Sequence, residues 1–136
     1  MSAVLETLLP HRAPMRWIDA LTECTPTTAR ATVCFTADHF AVADGEVMET
    51  ALVECVAQTI AAAQGHRARA PGGSGRPTVG MLAAVANFKI HTPPLMEKTL
   101  VIEIQELKKF GPMILVAGVV SCEGQTIATG ELTVYA

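Results

Sequence analysis

The chain has 136 residues, of which half are hydrophobic, and ten basic against thirteen acidic residues give it a formal net charge of −3. This length is typical of one domain with a substantial core, so we expect a single domain over residues 1–136. The chain has no basic stripe, which argues against nucleic acid as a partner. No apolar run reaches the roughly eighteen residues that a membrane span needs.

The first elements in chain order are short. Residues 3–9 predict a helix that is stopped by Pro10, and residues 15–19 predict a short strand. Polar and apolar residues alternate over residues 28–36, which predicts a second strand with one buried face. Residues 37–45 then form a loop that leads into the longest element.

That element is a helix over residues 49–66. No proline interrupts it, and Gly65 stands next to last, where glycine commonly ends a helix. Apolar residues occupy both of its faces, so we expect it to be buried on almost all sides. One polar line with four-residue spacing runs through it, made of Thr50, Glu54 and Gln58.

The rest of the chain predicts an exposed loop followed by strands. The loop covers residues 67–77, which are rich in glycine, proline and arginine. The predicted strands are residues 80–90, 99–107, 113–122 and 125–134, with turns at residues 108–112 and 123–124. The fold class is therefore α+β, with an antiparallel sheet of five to six strands around one long central helix. Such a sheet covers one side of the helix only, so we expect a homodimer or a higher assembly of dimers.

Two residues are candidates for catalysis. Glu54 is an ionisable carboxylate halfway along a buried helix, which is costly unless it has partners or a function. The alternative is a structural carboxylate bonded to Gln58 and to a neighbouring backbone group or arginine. His39 lies in the loop before the helix, and histidine is the usual general base near neutral pH. Its alternative is a loop histidine without a role.

Other polar residues indicate no further site. No His-x-x-x-His or comparable spacing exists, so we expect neither a metal nor another cofactor. The four cysteines form no Cys-x-x-Cys pair, which favours reduced thiols in a cytoplasmic protein. For Arg67, Arg69 and Arg76 a solvated loop is favoured over a site for an acidic carrier protein or a phosphate.

Several segments resemble the 3-hydroxyacyl-acyl-carrier-protein dehydratases, a family with the hotdog fold. Residues 8–15 followed by Ile18-Asp19 resemble the L-L-P-H-R-x-P opening of that family. His39-Phe40 resembles the start of its H-F-P-G loop, and residues 54–58 resemble its E-A-M-A-Q helix motif. Phe88-Lys89, followed by a proline, is similar to its third-strand exit.

The loop after His39 departs from the family pattern. Ala41-Val42 and Met48-Glu49 stand where the family has two Pro-Gly pairs, and the spacing from His39 to Glu54 is one residue longer. Loops of this kind resemble the smaller dehydratase-like proteins of aryl polyene lipid synthesis.

The resemblance implies a dehydratase of fatty-acid or polyene lipid synthesis whose substrate is an acyl thioester on acyl carrier protein or coenzyme A. It implies that Glu54 protonates the leaving hydroxyl and that His39 removes the proton next to the thioester carbonyl. The expected substrate-binding residues are Gln58, which also orients Glu54, and Glu49 and Thr50 at the helix start, where the carbonyl would be polarised. One alternative is a hotdog acyl thioesterase, in which Glu54 activates water and His39 is not needed. Another is a non-catalytic subunit that binds an acyl carrier or a partner.

Overall fold

The computed structural model describes Leu5, Leu8, residues 15–73 and residues 81–135. Leu5 and Leu8 are helical and buried, while the other residues of the predicted helix over 3–9, and residues 9–14 of the opening motif, lie outside the described part. The further elements, numbered in chain order, are β1 (Ala20–Cys24), β2 (Thr28–Cys34), β3 (Val42–Ala43), β4 (Glu46–Val47), α1 (Thr50–Arg69), β5 (Met81–Ile90), β6 (Thr99–Phe110), β7 (Met113–Cys122) and β8 (Gln125–Tyr135).

Six of these strands form one antiparallel sheet in the order β1-β2-β6-β7-β8-β5. The two short strands β3 and β4 form a separate hairpin just before α1. One long helix therefore lies against a six-stranded antiparallel sheet, which confirms the predicted α+β class. Neither α1 nor any other described helix is long and apolar enough to cross a membrane.

The core lies between α1 and the inner face of the sheet. Residues of β7 alternate between buried and half-buried, as the period of two in a strand requires when one face is covered by a helix. Gly118 of β7 faces Val56 of α1, and a Cβ at this glycine would lie 2.7 Å from Val56 Cγ1. Helix and sheet therefore approach closely at this point because residue 118 has no side chain.

The helix does not end at the glycine that was expected to end it. It continues through Gly65 to Arg69 and ends at Ala70, whose extended backbone is what the following Pro71 favours. A Cβ at Gly65 would overlap the backbone carbonyl of Leu8. Glycine is needed here for the approach of the N-terminal segment, a tertiary contact that the local pattern does not reveal.

Residues 15–19 are not the predicted strand, and β1 begins only at Ala20. The reason is that the backbone between Met15 and Ile18 is hydrogen-bonded by the side chain of Gln58. The predicted turn over residues 108–112 is also shorter, because β6 stays paired with β7 as far as Phe110.

Arg67 and Arg69 belong to α1 and not to a loop, while Arg76 lies outside the described residues. Arg67 is not solvated as predicted. Its guanidinium donates to the carbonyl oxygens of Thr25 (2.8 Å) and Thr28 (3.1 Å) and pairs with Glu106 (3.3 Å). These bonds tie the C-terminal end of the helix to the β1–β2 turn and to β6.

Candidate active site

Glu54 and Gln58 lie one turn apart on α1 and are hydrogen-bonded to each other. Gln58 Nε2 donates to Glu54 Oε1 (3.0 Å) and to the carbonyl oxygen of Met15 (2.7 Å). Gln58 Oε1 accepts from the backbone N–H groups of Trp17 (2.8 Å) and Ile18 (3.4 Å). The carboxamide therefore uses both of its donors and its acceptor.

Gln58 is also fully buried, with 0% of its surface exposed. A buried and saturated carboxamide cannot reach a substrate without breaking bonds to the backbone of residues 15–18. The geometry therefore supports an orienting role toward Glu54 and gives Gln58 no direct contact with a substrate.

The Glu54 carboxylate is half-buried and borders a cavity of about 130 Å³ between α1, β5 and β8. Most of the cavity wall is apolar, with Ala57 and Ala61 on the helix and Leu82 on β5. Gln64 lies on the same wall, ten residues along the helix from Glu54, or about 15 Å at the helical rise. A carboxylate at an apolar cavity is an arrangement that suits acid–base chemistry on an acyl substrate.

His39 lies in the loop between β2 and β3, and packing and hydrogen bonds fix its ring. The rings of Trp17 and Phe35 lie steeply inclined to it, in edge-type contacts with centroid distances of 5.6 Å and 4.7 Å. Its Nδ1 accepts the backbone N–H of Ala41 (2.9 Å). Burial lowers the pKa of His39 below its ordinary value, and the nearby charge of Asp19, with that of Asp38, offsets this only in part. His39 is therefore mostly neutral at neutral pH.

Within one chain, Glu54 is not among the charges that act on His39. Among the described carboxylates, those that act on the pKa of His39 are Asp19 and Asp38, and not Glu54. Glu54 acts instead on Cys55, whose thiol pKa is raised first by burial and then by the charges of Glu54 and Asp19. Cys55 is therefore a neutral thiol and not a nucleophile.

The start of α1 presents backbone donors. The N-terminal flanking residue is Glu49, whose side chain makes no capping hydrogen bond. The N–H of Ala51 donates to the backbone carbonyl oxygen of Met48 (3.0 Å), and the N–H of Leu52 donates to that of Glu49 (3.1 Å). Within the described part of the chain, the N–H groups of Glu49 and Thr50 make no hydrogen bond. Two donors at the positive end of a helix dipole can polarise a carbonyl oxygen.

The hairpin that leads into this helix start was not predicted. It turns at Asp44 and Gly45, whose φ angles are 52° and 77°. It lies between residues 41–42 and 48–49, the two positions where the resembling family has its Pro-Gly pairs. The signal was present in the sequence, since Asp-Gly between apolar residues marks a tight hairpin.

Two residues near the site were not singled out from the sequence as functional. Asp19 accepts the backbone N–H of Cys34 (2.7 Å) and places its charge near His39. Arg16 has two buried nitrogen atoms, Nε and Nη1, with no hydrogen-bond partner among the described residues. No local sequence pattern marks an arginine whose guanidinium is partly buried in this way.

The model of the ApeP dehydratase family matches residues 3–136 of the sequence. The chain belongs to the ApeP-like dehydratase family. This match confirms the dehydratase family that the sequence motifs resembled, and it includes residues 9–14 of the opening motif, which lie outside the described part of the structure. No curated protein matches the sequence significantly.

This ApeP-like dehydratase is similar to the dehydratase heterocomplex ApeI:P from Xenorhabdus doucetiae, with a TM-score of 0.83 and 22% identity, covering 96% of this chain and 89% of that chain. It is also similar to the E. coli PaaI protein from the phenylacetic acid degradation operon, with a TM-score of 0.67 and 12% identity, covering 85% of this chain and 81% of that chain. A third similar structure is a hypothetical thioesterase from Streptococcus pneumoniae solved with coenzyme A. Its TM-score is 0.66 at 8% identity, covering 85% of this chain and 83% of that chain. At these identities the likeness shows a shared fold, and the predicted hotdog fold is confirmed.

Proposed function

We propose that this ApeP-like dehydratase removes water from 3-hydroxyacyl thioesters carried by acyl carrier protein or coenzyme A, in fatty-acid or aryl polyene lipid synthesis. The observation that carries the proposal is the Glu54 carboxylate, held by a saturated and buried Gln58 beside an apolar cavity. Family membership supports dehydration, and the coenzyme A in a similar thioesterase structure supports a thioester substrate.

Each required chemical function has a candidate group. The β-hydroxyl must leave with a proton, and Glu54 is the acid placed beside the apolar cavity where an acyl chain would lie. The thioester carbonyl must be polarised, and the N–H groups of Glu49 and Thr50 are available for this. His39 is the second catalytic side chain that we propose, and it meets the Glu54 of a second chain.

A two-chain assembly is part of this proposal. β5 is an edge strand of the sheet, and its exposed side chains include Met81, Leu82 and Val85. A long apolar edge strand is a template for pairing with another chain. The buried nitrogen atoms of Arg16 also require acceptors that the described part of this chain does not supply. We propose a homodimer, and the similar ApeI:P heterocomplex makes a second dehydratase subunit the other outcome of the test.

Sedimentation tests the assembly. We expect a dilute sample to sediment as a dimer, and we expect Val85→Lys to shift it toward monomer because a charge would be buried at the paired edge. Leu107→Lys is the matched control, since Leu107 is similarly exposed but lies near the β6–β7 turn. A wild-type sample that sediments as a 14.4 kDa monomer would contradict the homodimer. If the protein assembles only when a second dehydratase subunit is added, the assembly is a heterodimer and not a homodimer.

Mass spectrometry tests the reaction. The protein is incubated with 3-hydroxyacyl thioesters on acyl carrier protein and on coenzyme A, and loss of water is recorded separately from hydrolysis. We expect dehydration, and a loss of about 10²- to 10⁴-fold in Glu54→Gln, because the amide keeps the shape but cannot exchange the proton. Glu46→Gln, an exposed residue of β4, is the matched control with unchanged rate. Hydrolysis without dehydration would favour the thioesterase, and no turnover of either kind would favour a non-catalytic subunit.

A further inference from the structure

The hydrogen bond between Ala41 and His39 determines which ring nitrogen of the histidine carries the proton. The Ala41 N–H points at His39 Nδ1 over 2.9 Å, so Nδ1 is the acceptor. A neutral imidazole has one N–H and one acceptor nitrogen, and its proton is therefore on Nε2. The edge contacts with Trp17 and Phe35 hold the ring in the orientation that makes this bond.

The donor exists because of one residue. Ala41 stands where the H-F-P-G loop that this segment resembles has a proline, and a proline has no N–H to donate. Ala41 is fully buried, so water does not compete well for its N–H. If Nδ1 were protonated, two N–H donors would face each other without an acceptor. This repulsion disfavours the protonated ring, as does the burial that lowers the pKa of this histidine.

We propose that Ala41 is a positioning residue that fixes His39 as the Nε2–H tautomer, so that His39 donates a hydrogen bond to the thioester carbonyl and does not act as the base. This inference rests on the proposed dehydratase function. It changes the role that the resemblance implies for His39. Nδ1 is occupied by the Ala41 N–H, so only Nε2 is left to meet a substrate, and Nε2 then carries a proton and has no lone pair to accept one.

Glu54 then performs both proton transfers. Its carboxylate takes the proton from the carbon next to the carbonyl, and the electron pair of that C–H bond moves toward the carbonyl oxygen. The His39 Nε2–H of the second chain stabilises the charge on this oxygen. Protonated Glu54 then gives the same proton to the β-hydroxyl, which leaves as water with the electrons of the C–O bond while the C=C bond forms. The carboxylate is regenerated, so no further reactant is needed.

Nitrogen NMR of the full chain with ¹⁵N-labelled histidine rings reads the tautomer directly. His39 is identified as the ring whose signals disappear in His39→Gln. We expect a protonated Nε2 and an unprotonated Nδ1 in the wild type and in Ala41→Gly, which removes the methyl group but keeps the N–H. In Ala41→Pro, which removes the N–H, this preference should be lost. A wild-type His39 that carries its proton on Nδ1 overturns the proposal, whether or not the proline variant folds.

Two substitutions of His39 separate a donor from a base in the activity assay. The carboxamide introduced by His39→Gln cannot take up a proton, but its nitrogen can reach the position of Nε2 and donate there. We expect His39→Ala to lose roughly 10²- to 10³-fold in rate and His39→Gln to regain at least about tenfold of that loss. Equal losses in two folded variants overturn the proposal, because a base is lost equally in both. If the wild type dehydrates no thioester, the proposed function fails, while the NMR spectrum still decides the tautomer.

Discussion

Replacing Gln58 with methionine removes the hydrogen bonds that join residues 15–18 to α1 while nearly preserving side-chain length. The backbone N–H of Trp17 loses its acceptor at 2.8 Å, the carbonyl of Met15 loses its donor at 2.7 Å, and Glu54 loses its donor at 3.0 Å. The Trp17 bond is buried, so water does not readily replace the acceptor that this N–H loses. The bonds to Met15 and Glu54 are only partly buried, so water can replace the lost donor there.

These differences in burial determine how much stability Gln58→Met loses. A buried donor left without a partner costs about 1–3 kcal/mol, and each of the two partly buried bonds contributes about 0.5–1.5 kcal/mol. Burial of the more apolar methionine returns about 1 kcal/mol. We therefore expect Gln58→Met to lower the free energy of unfolding by about 1–5 kcal/mol and to reduce turnover as well, since Glu54 is no longer oriented.

Urea denaturation at one fixed protein concentration measures this change, because assembly adds to the apparent stability. Gln64→Met is the matched control on the same helix, where the half-buried glutamine makes no hydrogen bond within the described part of the chain. Its unfolding free energy should stay within about 0.5 kcal/mol of the wild type. If Gln58→Met is as stable as this control, the bonds to residues 15–18 do not hold the segment and the reasoning is wrong.

Three further predictions concern the packing of the helix, pH and the assembled site. Gly65→Ala should destabilise the protein by about 1–3 kcal/mol in urea, because its methyl group would overlap the carbonyl of Leu8, whereas the same change in an open helix stabilises by about 1 kcal/mol. The pKa of His39 is lowered from 6.5 in the folded state, so the unfolded chain binds more protons and stability should fall as the pH drops below about 6.5. The same pH titration of His39→Gln should show a shallower fall, and an identical fall would contradict the lowered pKa. Mixing inactive His39→Ala and Glu54→Gln proteins under proven subunit exchange should restore some dehydration, because one site of each heterodimer is whole; no recovery would place both groups in one subunit.

Local patterns were sufficient for much of the fold. The alternation over residues 28–36 predicted β2, and the glycine after Glu123 predicted the β7–β8 turn, where both residues have positive φ angles. These features depend on neighbours within a few positions. The family motifs likewise lie in short segments, and the match of the family model confirms what they indicated.

The candidate site depends on contacts between residues that are distant in sequence. Gln58 bonds to residues about forty positions earlier, and this decides that it orients Glu54 while being shielded from substrate. Arg67 likewise donates to the distant carbonyl oxygens of Thr25 and Thr28. A residue that was predicted to lie in a solvated loop therefore joins the helix end to the sheet.

The amino-acid sequence by itself determined the long helix and most strands of the main sheet, because strand and helix periodicity are local properties, and it supplied Glu54 as a carboxylate within an apolar helix. It also determined that residue 41 has an N–H, since alanine and not proline stands there. Only the tertiary structure decided where that N–H points. The ring of His39 is held between Trp17 and Phe35, and this packing brings Nδ1 within 2.9 Å of the donor. A hydrogen bond has direction and short range, so it is decided by how distant elements pack and not by the order of residues along the chain.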